Sequence, residues 1–374
     1  MPNYTWPTRS SLSLALAAAL LFTFSCGGSQ PMPTRNSYAY VAVDGNFNAS
    51  SSALAQFRVT NNGTLAPLSP AAFTSGGRSL AALVVDPSGK YLFTGDEIQG
   101  TINQFVIGDD GTITPNSVPS VTTDGPPASM TFTPNGQFVI VQNGFSLSAY
   151  NMNPAGSLTL TSTTPALGGF PVVHPAGQFF YVADDSGNSS ISQYTISANG
   201  TIAPVSTLPL GDTGPSPLVI SPTGFLYSAD GGTGTVTEFS INASDGSLAK
   251  VNSVPSGSGG PSGAINASWP CSIAFHPTGA YVYVSNCLDS TVSQFTVDAS
   301  TGTLARNGSD ISLGAPLDEA RDIVVDPSGH FLFAACDSGT VLGFTIDRNG
   351  MLTSNGTVSL ANYGSAFAIV IPHR

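Results

Sequence analysis

The sequence has few charged residues, and few of those are basic. Only 9 % of its 374 residues are charged, with 10 Lys and Arg against 22 Asp and Glu, which gives a net charge of −12. Nucleic-acid binding and attraction to anionic lipids both depend on clustered Lys and Arg. The composition therefore argues against a nucleic-acid partner and against membrane contact through a basic surface.

Cysteine is scarce and helical periodicity is missing. None of the four cysteines is spaced as Cys-x-x-Cys, so the sequence predicts no zinc site. No segment beyond residue 25 has a sustained 3.6-residue hydrophobic period, which argues against α-helices. The chain is nevertheless 41 % hydrophobic and contains 41 Gly and 28 Pro. Apolar runs separated by tight turns predict a folded β protein rather than disorder.

Two turn motifs recur along almost the whole chain. A Pro-x-Gly turn between apolar runs begins at Pro87, Pro134, Pro175, Pro222, Pro277 and Pro327. A second turn, Gly followed by Thr, Ser or Met and then Leu or Ile, begins at Gly63, Gly111, Gly156, Gly200, Gly246, Gly302 and Gly350. A regular period in this range indicates a repeat architecture. The β-branched and aromatic runs between the turns predict four strands in each repeat.

The two ends of the chain complement each other. The first repeat begins at its second strand, residues 38–43, and residues 366–372 form a lone first strand. The C-terminal strand can therefore complete the first repeat and close a ring of sheets without exposed edges. We predict an all-β fold, a monomeric seven-bladed β-propeller of four-stranded antiparallel blades spanning residues 37–374. A linear β-solenoid is the alternative, but it would not explain the complementary ends.

The first 36 residues predict export. Arg9 precedes an apolar stretch, residues 12–24, which is too short to span a hydrocarbon core of about 30 Å. The following Ser25-Cys26-Gly27 resembles a bacterial lipoprotein signal. We expect residues 1–25 to be a signal peptide, Cys26 to be lipidated, and residues 26–36 to tether the protein to the cell envelope. Cleavage of an ordinary secretory signal nearby is the alternative.

Two cysteines are placed for a disulfide. Cys271 and Cys287 each lie eight residues from Gly279, so a hairpin could bring them opposite each other. An oxidising compartment would favour the bond, and two independent buried thiols are the alternative. Cys336 is then the odd cysteine.

The face that carries the loops before first strands and after second strands is the predicted ligand-binding face. Acidic residues collect there: Asp44, Asp96, Glu97, Asp184, Asp185, Asp230, Asp322 and Asp337. A ring of carboxylates could hold a Ca²⁺-like cation, and no other cofactor is expected. The alternative interpretation is that these Asp side chains cap tight turns.

Basic residues on this face are few. Arg78 and Arg321 are the arginines that we place there, and Arg321 could bind a carboxylate or phosphate. The alternative is that Arg321 pairs with Asp318, Glu319 or Asp322. The four histidines, His174, His276, His330 and His373, are all predicted on the opposite face, so none is placed for acid–base chemistry in the channel mouth.

The repeats resemble the seven-bladed lactonase-like propeller family, which includes 6-phosphogluconolactonase-like proteins. The resemblance rests on units such as SIAFHPTGAYVYVSN and DIVVDPSGHFLFAAC. It implies hydrolysis of a sugar lactone, with Glu97 or Asp185 activating water and Arg321 orienting the substrate. Where the family has Pro-Arg-His, this chain has Ala320-Arg321-Asp322 and lacks the histidine. The residues themselves suggest the alternative, a non-catalytic lipid-anchored propeller that binds a ligand, glycan or protein at its loop-rich face.

Overall fold

Every regular element in the described part of the chain is a β-strand. The computed structural model describes residues 37–44, 52–74, 79–166, 168–184, 189–211, 214–257, 269–314, 319–360 and 363–373. Our predictions for the signal peptide, Cys26, the tether, Arg78 and Asp185 lie outside the described residues, as does the side chain of Asp44. These ranges contain no helix with the length and apolar character needed to cross a membrane.

The strands form seven sheets in chain order. Blade one contains β1 (Ser37–Asp44), β2 (Ala53–Val59) and β3 (Leu65–Thr74). Blade two contains β4 (Leu80–Val85), β5 (Tyr91–Asp96), β6 (Thr101–Ile107) and β7 (Ile113–Thr122). Blade three contains β8 (Pro127–Phe132), β9 (Phe138–Asn143), β10 (Ser146–Met152) and β11 (Leu158–Pro165). Blade four contains β12 (Pro171–Val173), β13 (Phe179–Asp184), β14 (Ser190–Ile196) and β15 (Ile202–Pro209).

The remaining blades follow the same order. Blade five contains β16 (Pro215–Ile220), β17 (Leu226–Asp230), β18 (Thr235–Ile241) and β19 (Leu248–Pro255). Blade six contains β20 (Pro270–Phe275), β21 (Tyr281–Asn286), β22 (Thr291–Val297), β23 (Leu304–Arg306) and β24 (Ile311–Ser312). Blade seven contains β25 (Ala320–Val325), β26 (Phe331–Cys336), β27 (Thr340–Ile346) and β28 (Leu352–Ser359), and the last strand of the chain is β29 (Ser365–Val370).

The C-terminal strand closes the ring. β29 pairs antiparallel with β1, with Val41 opposite Ile369 and Ala42 opposite Ala368, so blade one has the strand order β29-β1-β2-β3. Side chains of blade one also pack against blade seven, where Phe57 shares a buried core with Phe333. The predicted seven-bladed propeller and its closure by the chain end are both confirmed.

The Gly-x-Leu turns are docking points between neighbouring blades. The hydroxyl of Tyr40 in blade one donates to the carbonyl oxygen of Gly111 in blade two at 2.6 Å. Two residues on, the backbone N–H of Ile113 donates to Oε1 of Gln56 in blade one at 3.0 Å. The same tyrosine-to-glycine bond joins Tyr181 to Gly246, Tyr227 to Gly302 and Tyr283 to Gly350. The repeat motif therefore encodes blade-to-blade contacts as well as turns.

Glycine is required at these docking points for two reasons. Gly111 has a φ of +83°, where L side chains are disfavoured. A Cβ atom at Gly111 would lie 2.1 Å from the ring of Tyr38 in blade one. At Gly350 the corresponding ring belongs to Tyr281, 2.3 Å away. The close approach of an aromatic ring explains why the glycine recurs at this point of every repeat.

Glu238 in blade five occupies the position that Gln104 has in blade two. Both side chains accept the next blade's backbone N–H at 2.9 Å through Oε1, from Leu304 and Leu158 respectively. The Nε2 of Gln104 also donates to the carbonyl oxygen of Val118 at 2.9 Å. The matching atom of Glu238, Oε2, is buried with no hydrogen-bond partner among the described residues. Burial raises the pKa of Glu238, because desolvation disfavours its carboxylate form, against the lowering effects of Leu304 and Asn252.

Candidate functional site

A cavity of about 760 Å³ lies where the first strands of the seven blades meet. Residues from every blade line it: Leu83, Met130, Phe170, Leu218, Ser272, Asp322 and Phe367. Phe170 directly precedes β12, and the other six lie in the first strands β4, β8, β16, β20, β25 and β29. The cavity is therefore the central channel, and the described residues that directly precede three first strands, Phe170, Gly214 and Trp269, also line it.

Asp322 of β25 joins three blades at the channel wall. Its Oδ1 accepts a hydrogen bond from the Ser272 hydroxyl of blade six at 3.0 Å, and its Oδ2 accepts one from the Ile369 N–H of blade one at 3.0 Å. Burial raises the pKa of Asp322 to about 6, against the lowering effect of these bonds. A carboxylate has about four acceptor sites, so Asp322 can still accept a bond from a water molecule in the cavity.

Arg321 lies at the mouth of the same cavity and pairs with two carboxylates. Its Nη2 is 2.7 Å from Oε2 of Glu319 and 2.9 Å from Oδ2 of Asp337, and its Nε donates to the same Asp337 oxygen at 3.0 Å. The bond to Asp337 is the main reason that the pKa of Arg321 is raised. The Arg321 side chain is 49 % exposed, so it can still reach a ligand. The two carboxylates offset its positive charge, so this group does not favour an anionic ligand.

Of the predicted acidic residues, Asp96 and Glu97 lie away from the cavity lining. Glu97 is exposed just after β5. The buried Asp96 accepts the backbone N–H groups of Ile98 and Gln99 at 3.0 and 2.9 Å through Oδ1, which is the turn-capping arrangement of an Asx turn.

Asp184 and Asp230 also lie outside the channel lining. Asp184 borders a separate surface pocket with Phe145 and Tyr194. Asp230 is fully buried inside blade five, where the hydroxyls of Ser228 and Thr237 donate to its two oxygens. Burial raises the pKa of Asp230 to about 6.

The structure thus brings only some of the predicted acidic residues together. The structure brings Arg321, Asp322 and Asp337 together at blade seven, while Asp96, Glu97, Asp184 and Asp230 lie elsewhere. Within the described ranges, no group of three or more Asp, Glu, His or Cys side chains is arranged to hold a metal ion. Cation binding and the ligand-binding roles of these acids stay predictions.

The histidines lie in the turns where the sequence places them. His276 is bonded through Nε2 to the carbonyl oxygen of Gly329 at 3.0 Å, and Nδ1 of His330 is 3.0 Å from the Ser328 hydroxyl. Neither residue lines the channel cavity, and nor do His174 and His373, all four being in described segments. Among the described residues that line the cavity, Asp322 is therefore the one carboxylic acid, and there is no histidine.

Sequence reasoning missed Trp269, which lines the cavity and is 50 % exposed. No motif surrounds this tryptophan, because it follows a Gly/Ser-rich segment of irregular sequence. It lies beside the predicted cysteine pair. The structure has Cys271 and Cys287 in a disulfide with Cα atoms 6.0 Å apart, and Cys336 is buried and not part of this disulfide.

Comparison with known proteins places the chain in a family. The family model described as lactonase, 7-bladed beta-propeller, matches residues 33–172, 171–260 and 233–366. The chain is similar to a proposed 6-phosphogluconolactonase from Bacteroides uniformis (21 % identity, 90 % of this chain and 100 % of that one, TM-score 0.76). It is also similar to the periplasmic gluconolactonase of Pseudomonas aeruginosa (18 % identity, 90 % and 99 % coverage, TM-score 0.74).

At these identities the similar structures establish the fold, and the match of the family model establishes the family. A sequence comparison with curated proteins gave no significant match. The chain belongs to the lactonase family of seven-bladed β-propellers.

Proposed function

We propose that the protein hydrolyses an uncharged sugar lactone in the channel cavity, with Asp322 as the general base. The observation that carries this proposal is a carboxyl group with a pKa of about 6 on the wall of a cavity that all seven blades line. A general base is most effective when its pKa lies near the working pH. The same carboxylate retains acceptor sites for a water molecule.

The reaction would proceed by attack of water on the lactone carbonyl carbon. Asp322 takes a proton from the water as the new C–O bond forms, and the carbonyl oxygen becomes an oxyanion. Collapse of this intermediate breaks the ring C–O bond, and the leaving alkoxide takes the proton back from Asp322. The half-exposed Arg321 guanidinium would stabilise the oxyanion from the cavity mouth. The product is the open hydroxy acid.

The charges at the cavity mouth and on the whole chain favour an uncharged substrate. Arg321 is paired with Glu319 and Asp337, so these three groups together carry a net negative charge. The chain as a whole has a net charge of −12, which repels anions. A neutral lactone avoids both penalties. The similar protein from Pseudomonas aeruginosa is a gluconolactonase, a name that agrees with this substrate class.

Hydrolysis by the purified full chain tests the proposal. The substrates are D-glucono-1,5-lactone and its 6-phosphate, and proton release is recorded above the uncatalysed rate. We expect turnover of the neutral lactone, its loss in Asp322→Asn, and no loss in Glu97→Gln. Glu97→Gln is the matched control because Glu97 is an exposed acid outside the cavity lining. Absence of turnover on both lactones would contradict the proposal.

A second candidate function is binding without catalysis. Both oxygens of Asp322 already hold bonds between blades, to Ser272 and Ile369, and this observation favours a structural role for the carboxylate. The occupant would then be a sugar, glycan or protein segment that stays unchanged. Calorimetric binding of an intact lactone or glycan without product formation would favour this candidate.

We also propose that the protein is exported and anchored in the bacterial cell envelope through Cys26. The apolar segment before Ser25-Cys26-Gly27 supports this proposal. Metabolic labelling with a fatty acid tests it. Label should enter the wild-type protein and be absent from Cys26→Ala.

A further inference from the structure

Trp269 is held in an unusual backbone conformation at the channel mouth. Its φ is +41°, a left-handed value that non-glycine residues rarely adopt. The indole lies against Gly231 of blade five, where a Cβ atom would be 3.4 Å from Cε2 and 3.5 Å from Nε1. Half of the side chain remains exposed, in the cavity that also contains Arg321 and Asp322. One part of the ring is thus supported by backbone, and the rest is available to a ligand.

The segment that carries Trp269 is fixed at two points. The carbonyl oxygen of Trp269 accepts the backbone N–H of Cys287 at 3.0 Å. Two residues later, Cys271 forms its disulfide with the same Cys287. A cross-linked segment loses little freedom when a ligand binds, so the indole is preorganised.

The surroundings of the indole match the chemistry of a sugar ring. A pyranose has an apolar C–H face and a rim of hydroxyls, and aromatic rings with a few placed polar groups bind such ligands. The Ser272 hydroxyl, the Asp322 carboxylate and the Arg321 guanidinium line the same cavity. Phe170, which is 47 % exposed, adds a second aromatic side chain.

We propose that Trp269 is a stacking platform that binds the ring of an uncharged sugar or sugar lactone and sets the preference of the channel for that class. The inference rests on the proposed function for the identity of the substrate, and on the geometry of Trp269 for the mode of binding. Trp269 is a positioning residue, because it holds the ring while Asp322 and Arg321 act on the carbonyl group.

Tryptophan fluorescence tests this directly. The chain has two tryptophans, Trp6 and Trp269, so a Trp6→Phe variant of the full chain reports on Trp269 alone. The probe is D-glucono-1,5-lactam, an uncharged ring whose amide resists hydrolysis. We expect a saturable change in emission on titration. Trp269→Ala should weaken calorimetric binding of the lactam by about tenfold, while Trp269→Phe should retain most of it.

The matched control is Phe145→Ala. Phe145 is an aromatic residue that is 81 % exposed and borders a different pocket, so its removal should leave lactam binding unchanged. Thermal unfolding of Trp269→Phe checks that the blade remains folded. Absence of lactam binding, or equal binding by Trp269→Ala and wild type, would overturn the inference.

The outcomes separate this inference from the proposed function. Lactam binding that depends on Trp269, without turnover of any lactone, supports the platform and contradicts the hydrolase. Lactone turnover with a KM unchanged in Trp269→Ala supports the hydrolase and overturns the platform. If both are right, Trp269→Ala raises KM about tenfold and leaves kcat nearly unchanged, because the ring is held equally in substrate and transition state.

Discussion

Two adjoining parts of the channel lining differ sharply in chemistry. Blades six and seven contribute Trp269, Cys271, Ser272, Arg321 and Asp322 to its lining. Blades one and two contribute Phe367, Ala368, Ala81, Ala82 and Leu83. The lining from blades six and seven, the polar wall, therefore carries a hydroxyl, an ion pair, a carboxylate and an indole. The lining from blades one and two, the aliphatic wall, carries one phenyl ring and otherwise aliphatic side chains.

This difference arises from side chains and not from backbone geometry. The first strand of blade two has a register shift between Leu80 and Ala82, and that of blade seven has the same shift between Ala320 and Asp322. Such bulges re-aim the next side chain and are common beside active sites. Ala82 and Asp322 thus occupy equivalent positions. The fold offers the same position in several blades, and the sequence places a functional group in only some of them.

Among the changes to the two walls, replacing Asp322 should have the largest effect on kcat/KM. Asp322→Asn removes the proposed base, and we expect kcat/KM for D-glucono-1,5-lactone to fall by about 100-fold or more. The equivalent change on the other wall, Ala82→Ser, should leave kcat/KM within about twofold of wild type. Initial rates at one pH measure both, with thermal unfolding to verify the fold. A loss of equal size in Ala82→Ser would show that the channel responds to any perturbation.

Removing the disulfide in the polar wall should lower the free energy of unfolding. Cys271 and Cys287 are separated by 16 residues, and closing a loop of that size stabilises a protein by about 3 kcal/mol. Denaturant unfolding of the Cys271→Ser/Cys287→Ser double variant should show a loss of this order. Cys336→Ser is the control for cysteine replacement, since that thiol is not in the disulfide. An unchanged free energy of unfolding in the double variant would contradict the pairing.

Removing the carboxylate partners of Arg321 should shift the substrate preference of the polar wall toward anionic lactones. Glu319→Gln with Asp337→Asn removes both partners of the guanidinium. We expect the ratio of kcat/KM for the 6-phosphorylated lactone to that for the neutral lactone to rise by about tenfold, because an uncompensated guanidinium favours anions. The double variant Asp96→Asn/Glu97→Gln makes the same charge change outside the lining. A similar rise in that control would indicate a general charge effect.

Glu238→Gln, at the contact between blades five and six, should raise the free energy of unfolding without changing the candidate site. The raised pKa of Glu238 means that its protonated form is favoured in the folded state, so its contribution to stability is lost as the pH rises through that pKa. Glutamine restores the donor at every pH. We expect a gain of about 1 kcal/mol in the free energy of unfolding at pH 7 and a smaller gain near pH 4.

The reciprocal change, Gln104→Glu, is the control for the seam, the contact that each of these two side chains makes with the next blade. It should lower the melting temperature at pH 7, because it introduces a buried carboxylate oxygen without a partner. Lactone turnover should stay unchanged in both variants. A melting temperature that falls in Glu238→Gln would contradict this account of the seam.

Much of the fold could be read from the sequence because its physical causes are local. The turn glycines, the alternating strands and the complementary chain ends determined blade number and closure. The equal spacing of Cys271 and Cys287 about Gly279 suggested the disulfide, with free thiols as the alternative. These features repeat or pair along the chain, so their meaning does not depend on distant contacts.

The candidate site was less predictable because it depends on which side chains enter the channel. Asp96 and Asp230 end the second strands of their blades and Asp337 directly follows one, yet Asp96 and Asp230 are buried and hydrogen-bonded within their own blades. Trp269 carries no motif, and its position follows from the long-range contact with Gly231. Burial and hydrogen bonding across blades decide such placements, and neither can be read from spacing alone.

The central claim is that Asp322 is the base of a lactone hydrolase, and the pH profile of kcat/KM tests it most directly. The measurement uses D-glucono-1,5-lactone between pH 4.5 and 7.5, with the uncatalysed rate subtracted. Because the base acts as a carboxylate, we predict that kcat/KM rises with pH through an apparent pKa of about 6, and that Asp322→Asn abolishes this rise together with the activity. Activity that is independent of pH across this range, or retained in Asp322→Asn, would contradict the account.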